Sequence, residues 1–125
     1  MSRPVLTPTE EHPITIAPTG GRVVVRVGGT VIADSSHALT LQESSYPPVQ
    51  YIPLADVDSS ALRPSQTATY CPYKGDASYY SVQPAGGDEV EDAIWTYQDP
   101  YAAVAPIAGH VAFFPDRAEV TVEAP

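Results

Sequence analysis

Fourteen prolines and eight glycines spread through 125 residues constrain this chain more than any other feature. Proline removes a backbone donor and fixes φ, while glycine loosens the backbone, so a long helix would be interrupted again and again. A helical bundle or coiled coil is excluded, and short segments joined by turns, in a mainly β fold, are expected. With 43 % hydrophobic residues the chain can fill one compact core and not two. Fifteen acids against six bases, a formal charge of −9, would repel a phosphate backbone, so no nucleic-acid partner is expected. The opening Met1-Ser2-Arg3-Pro4-Val5-Leu6-Thr7-Pro8 lacks the apolar run of a signal peptide, and no later stretch is long enough to cross a bilayer. The expectation is a cytoplasmic protein without a membrane role.

Residues 1–12 are rich in Pro, Thr and Glu without periodicity and read as a flexible arm; residues 13–125 read as one domain. Segments 14–16 and 22–27, a Gly28-Gly29 hairpin signal and segment 31–33 suggest a β-meander. In 38–43 the side chains alternate, so Glu43 shares the parity of Leu39 and Leu41 and follows the apolar face inward. Segment 49–52 is bracketed by Pro47-Pro48 and Pro53, which suits an edge strand or the entry to a sheet. Short helical turns are expected at 56–62 and 102–104. Strands at 66–71 and 76–83 flank Pro72-Tyr73-Lys74-Gly75, a hairpin loop with proline early and glycine late. Another strand is expected at 93–97, and 111–114, a Pro115-Asp116 turn and 118–122 read as a closing hairpin.

The residue types that carry chemistry gather in the middle. Nine of the eleven aromatics fall between Tyr46 and Tyr101, with the only cysteine, the only lysine and the only tryptophan. Pro72 and Gly75 would present Lys74 from a stiff support, as a group tunable by burial or as a solvated loop-tip ammonium. Cys71 precedes it by three residues, either as a thiol beside a cation or as a small buried hydrophobe. Glu43 is a candidate general base or anchor for ligand N–H groups, or else a structural carboxylate satisfied by an ion pair. Tyr51, Tyr79, Trp95 and Tyr97 could wall an apolar pocket or simply pack a core.

Other patterns fail. Asp56-x-Asp58-x-Ser60 opens like a calcium loop, but Ala61 stands where glycine is required and Thr67 where the terminal acid should be. Gly20-Gly21 and Gly28-Gly29 lack the setting of a phosphate loop. His12, His37 and His110 are scattered and match no local catalytic signature, and the acids of 88–92 read as solvated surface. A single cysteine can form neither an internal disulfide nor a Cys-x-x-Cys metal clamp. No metal site and no cofactor is read from the sequence.

Cys71-Pro72-Tyr73-Lys74-Gly75, Ala77-Ser78-Tyr79-Tyr80, Trp95-x-Tyr97-x-x-Pro100 and Ile107-Ala108-Gly109-His110-Val111-Ala112-Phe113 occur in that order. Upstream stand Val31-Ile32-Ala33-Asp34-Ser35, Glu43 and Tyr51-Ile52-Pro53. Together they resemble the bacterial domain-of-unknown-function family 427 over residues 13–123. The resemblance implies a β-tent, two antiparallel sheets meeting along one edge with one or two short helical turns, as in methionine sulfoxide reductase B and the ligand-binding domain of cereblon. Many β-tent relatives hold a structural zinc between two Cys-x-x-Cys pairs, and the cysteines for it are missing here. The family's nucleotidyltransferase-like label implies a Gly-Ser element followed by paired acids, and after Gly20-Gly21 and Asp34 the second acid is replaced by Ser36.

The expectation drawn from residues and resemblance together is a small domain that binds a small organic ligand in an aromatic-walled pocket between its sheets. Tyr51, Tyr79, Trp95 and Tyr97 would be the walls, and Glu43, Lys74 and Cys71 the polar end. An enzyme using Glu43 and Lys74 as an acid–base pair, the nucleotidyltransferase label included, and a protein–protein interaction module are the alternatives.

Overall fold

A computed structural model describes residues 3–124; residues 1, 2 and 125, at the ends of the expected arm and domain, lie outside the described residues. The fold is mainly β, with ten strands among those residues: β1 (Ile14–Pro18), β2 (Arg22–Val27), β3 (Thr30–Ser35), β4 (Leu39–Glu43), β5 (Val49–Pro53), β6 (Leu62–Cys71), β7 (Gly75–Val82), β8 (Val90–Thr96), β9 (His110–Phe113) and β10 (Glu119–Glu123). They form two antiparallel sheets, one of seven strands ordered β1-β4-β5-β9-β8-β7-β6 and one of three ordered β10-β2-β3. The expected helical turns are 3-10 turns at Leu54–Asp56, Ser59–Ala61 and Ala102–Ile107, the second capped by Asp58, whose side chain accepts from the Ser60 N–H. Among the described residues, no helix is long and apolar enough to cross a membrane.

Two expected pairings give way to longer-range ones. β1 pairs with β4 and not with β2, so only β2 and β3 form the hairpin turned by Gly28-Gly29 (φ 57° and 82°). The closing hairpin is absent: β9 lies between β5 and β8, while β10 crosses to pair with β2 in the other sheet. β5 is an inner strand and no edge, because Pro47 and Pro48 stop short of it and Pro53 is its last residue, leaving Val49, Gln50 and Tyr51 to pair with β4.

Side-chain parity divides the interior in two. Val23, Val25, Val27, Ile32, Ile52, Ile94 and Val111 meet in a core that links the three-stranded sheet to one face of the seven-stranded sheet. Residues of opposite parity, Tyr51 on β5, Ala77 on β7 and Ala112 on β9, with Tyr97 just past the end of β8, pack a second cluster on the opposite face with Leu41, Val104 and Ile107. Ile52 and Tyr51 are each 1 % exposed, so neighbours in sequence are buried on opposite faces. Burying each large apolar side chain stabilises the fold by about 1.5–3 kcal/mol. The second cluster is the floor on which the site is built.

Candidate functional site

The β6–β7 connection is short because Cys71 and Gly75 are already partners in the ladder. Gly75 sits at φ 109°, a region open to glycine and strained for other residues. The Lys74 N–H donates to the Cys71 carbonyl at 3.2 Å, and the Lys74 carbonyl accepts from the Tyr101 N–H at 3.0 Å. Held at both backbone groups, Lys74 is turned inward and only 7 % exposed. A buried ammonium demands a partner. It finds one in Glu43, which β4 carries onto the same face as Leu39 and Leu41, and donates to its Oε1.

The second oxygen of Glu43 meets a group that local sequence patterns do not reveal. His12 Nε2 lies 2.7 Å from Glu43 Oε2, and the imidazole stacks on Tyr73 with centroids 4.3 Å apart. Residues 3–13 have no regular structure but are tied to the body. Tyr70 donates through its hydroxyl to the Pro4 carbonyl at 2.6 Å, the Leu6 N–H donates to the Pro72 carbonyl at 2.9 Å, and Arg3 lies over the Tyr70 ring. The one clue to His12 is register: Ile14, two residues on, pairs with Glu43, which becomes visible only once β1 is known to pair with β4. Burial pushes the Glu43 carboxyl up, and the hydrogen bonds from Lys74 and His12 outweigh it, so the group is held below the usual carboxylate range.

Beside this cluster lies a cavity of about 300 Å³, lined by Glu43, Lys74, Tyr51, Tyr79, Trp95 and Tyr97 with Leu41, Val49, Tyr46, Pro47 and Phe114. Six of the seven residues singled out in the sequence thus border one space. Cys71 does not; its sulfur is 3.9 Å from Lys74 Nζ, and it packs against the second cluster beneath the lysine. The cavity is not between the two sheets, as expected, because Val23, Val25 and Val27 close that space against Ile52, Ile94 and Val111. It opens on the far face of the seven-stranded sheet.

The aromatic walls are mutually supported. Trp95 Nε1 donates to the Tyr51 hydroxyl at 3.1 Å, and the Trp95 ring leans on Phe114 with centroids 4.6 Å apart. Tyr79 is stacked parallel to Phe114 and shares a 2.8 Å hydrogen bond with Thr69. Burial raises the Tyr51 phenol to about 12 and pushes Tyr97 up further still, so both keep their protons at neutral pH. Tyr97 is 8 % exposed, and its hydroxyl, which is not fully buried, makes no hydrogen bond to another described residue. The cavity therefore offers a proton donor or acceptor at Tyr97, the paired Lys74 and Glu43, and ring faces. Among the described residues no three His, Cys, Asp or Glu side chains converge as a metal site.

Residues 15–124 match the protein family described as "Domain of unknown function (DUF427)". No curated protein matches the chain.

Proposed function

We propose that this chain, which belongs to the domain-of-unknown-function family 427, binds a small organic ligand in the cavity bounded by Glu43, Lys74, Tyr51, Tyr79, Trp95 and Tyr97. The observation that carries this reading is the placement of a buried ion pair at the edge of an open aromatic cavity. A pair kept only for stability could be replaced by apolar packing at little or no cost, whereas a paired donor and acceptor facing a cavity can orient a guest. The hydroxyl of Tyr97, which makes no hydrogen bond to another described residue and is not fully buried, is free to bond a guest in the cavity and so supports the same reading. Ring faces supply affinity through buried area, and the polar end supplies orientation.

An acid–base enzyme is less well supported. Glu43 accepts from both Lys74 and His12, and a carboxylate held below its usual range is a weak proton acceptor. Nucleotidyl transfer would need paired acids for metal ions, and among the described residues Glu43 is the one acid lining the cavity.

The test is a thermal-shift screen against nucleosides, nucleotides with and without magnesium, amino-acid derivatives, cyclic imides and divalent metals. A ligand at a hundred times its Kd should stabilise the protein by about 2.7 kcal/mol. Neutral ring compounds should stabilise the wild type and lose their effect in Lys74→Met; a hit that requires magnesium would overturn the reading in favour of transfer chemistry.

A further inference from the structure

A larger cavity begins where the site above ends. β5 and β9 pair only through Ile52 with Val111 and Pro53 with His110. Beyond those pairs Val49 to Tyr51 stay with β4, and Ala112 and Phe113 stay with β8, so the ladder between β5 and β9 ends after two pairs. On one face of the sheet beside this point lies the Glu43–Lys74 cavity. On the other lies a groove of about 530 Å³ lined by Pro48, Val49, Ile52, Phe113, Val120 and Val122. Tyr46, Pro47, Val49 and Trp95 border both.

The two spaces differ in chemistry. Among the described residues no charged side chain lines the groove, and the one side-chain amide, that of Gln50, is already engaged by Thr19 and Thr40. Tyr46 and Val122 at its border remain 59 % and 51 % exposed. Open apolar surface of this kind marks a place where something apolar docks. A polar cavity continuous with an uncharged groove is complementary to a molecule with the same asymmetry.

We propose, building on the ligand reading above, that the ligand is an amphiphile. Its compact polar head both donates and accepts hydrogen bonds at Glu43 and Lys74, and its apolar tail runs past Pro47 and Trp95, which border both spaces, into the groove. The head is uncharged, because Glu43 and Lys74 already balance each other and a further charge would stand without a partner.

The probe is a series of straight-chain primary amides from propanamide to octanamide, titrated against the emission of Trp95, the only tryptophan. Each methylene that enters the groove should tighten binding about fourfold. Val122→Asp, at a half-exposed position, should leave propanamide affinity unchanged and abolish the gain with chain length; Val122→Ser should reduce it, and a melting curve on each variant confirms folding. Propanamide binding with no gain along the series, or a gain untouched in both variants, overturns the tail groove and leaves the polar cavity standing. Self-association in sedimentation that Val122→Asp abolishes overturns it in favour of a second copy on the groove. Silence from every amide overturns the amphiphile, and the ligand reading falls with it if the broader screen is silent too.

Discussion

Replacing Lys74 by methionine keeps the apolar stem and removes the charge, which leaves the Glu43 carboxylate with His12 as its remaining hydrogen-bond partner. Breaking a fully buried ion pair from one side costs about 3–5 kcal/mol, while an exposed pair contributes about 0–1 kcal/mol. Here Lys74 is 7 % exposed but the Glu43 side chain keeps 17 % of its surface and retains His12, which places the loss between those limits, at about 2 kcal/mol. At about 4 °C per kcal/mol for a domain of this size, Tm should fall by about 8 °C. Glu43→Gln orphans the buried lysine and should cost a similar amount. The double variant leaves no buried charge, so its loss should fall short of the sum of the single losses by about 1–2 kcal/mol. Urea unfolding of the four proteins at pH 7 measures this coupling. Single losses that add to within about 0.5 kcal/mol would refute the reasoning, since the pair would then contribute nothing as a pair.

Because the folded carboxyl of Glu43 titrates below its ordinary value of 4.5, its contribution is present above that pH and is lost as pH falls through the folded value. The stability gap between wild type and Glu43→Gln, followed by thermal melts, should therefore close on acidification below about pH 4.5. Tyr97→Phe deletes a hydroxyl with no partner among the described residues and should change stability by less than about 0.5 kcal/mol while weakening any ligand that uses it, which separates binding from folding. Gly75→Ala forces a side chain to φ 109° and should cost about 1–3 kcal/mol in urea unfolding, with ligand affinity lowered because Lys74 is the preceding residue. In alkaline absorbance titration Tyr51 should ionise only near pH 12, with stability falling as pH rises from about 10 through that value.

The strands were largely legible in the sequence because alternation and turn residues act locally. Arg22–Val27 is matched residue for residue, and the parity of Leu39, Leu41 and Glu43 correctly turned Glu43 inward. The loop between Cys71 and Gly75 was legible for the same reason, since proline and glycine dictate its course. Partner choice was not. Whether Ile14 meets Glu43 or a residue of β2, and whether Val120 folds back on Phe113 or crosses to Val25, depends on which faces bury together across the whole molecule. His12 was invisible as a consequence, for only the β1–β4 register brings it to Glu43. The side of the sheet on which the cavity opens was equally hidden, because both parities of β5 and β8 are apolar: Ile52 and Ile94 look one way, Tyr51 and Trp95 the other.

A single tryptophan gives a single indole cross-peak in a proton–nitrogen correlation spectrum, and here that N–H is bonded to Tyr51 at the cavity wall. Titrating a compound that raises Tm, while following this peak in wild type and in Lys74→Met, tests the ligand site most directly. Occupation of the cavity predicts a saturable shift of the indole peak in the wild type that is weakened in the variant. An indole peak that stays in place while other resonances saturate would contradict it, since the compound would then stabilise the protein from somewhere else.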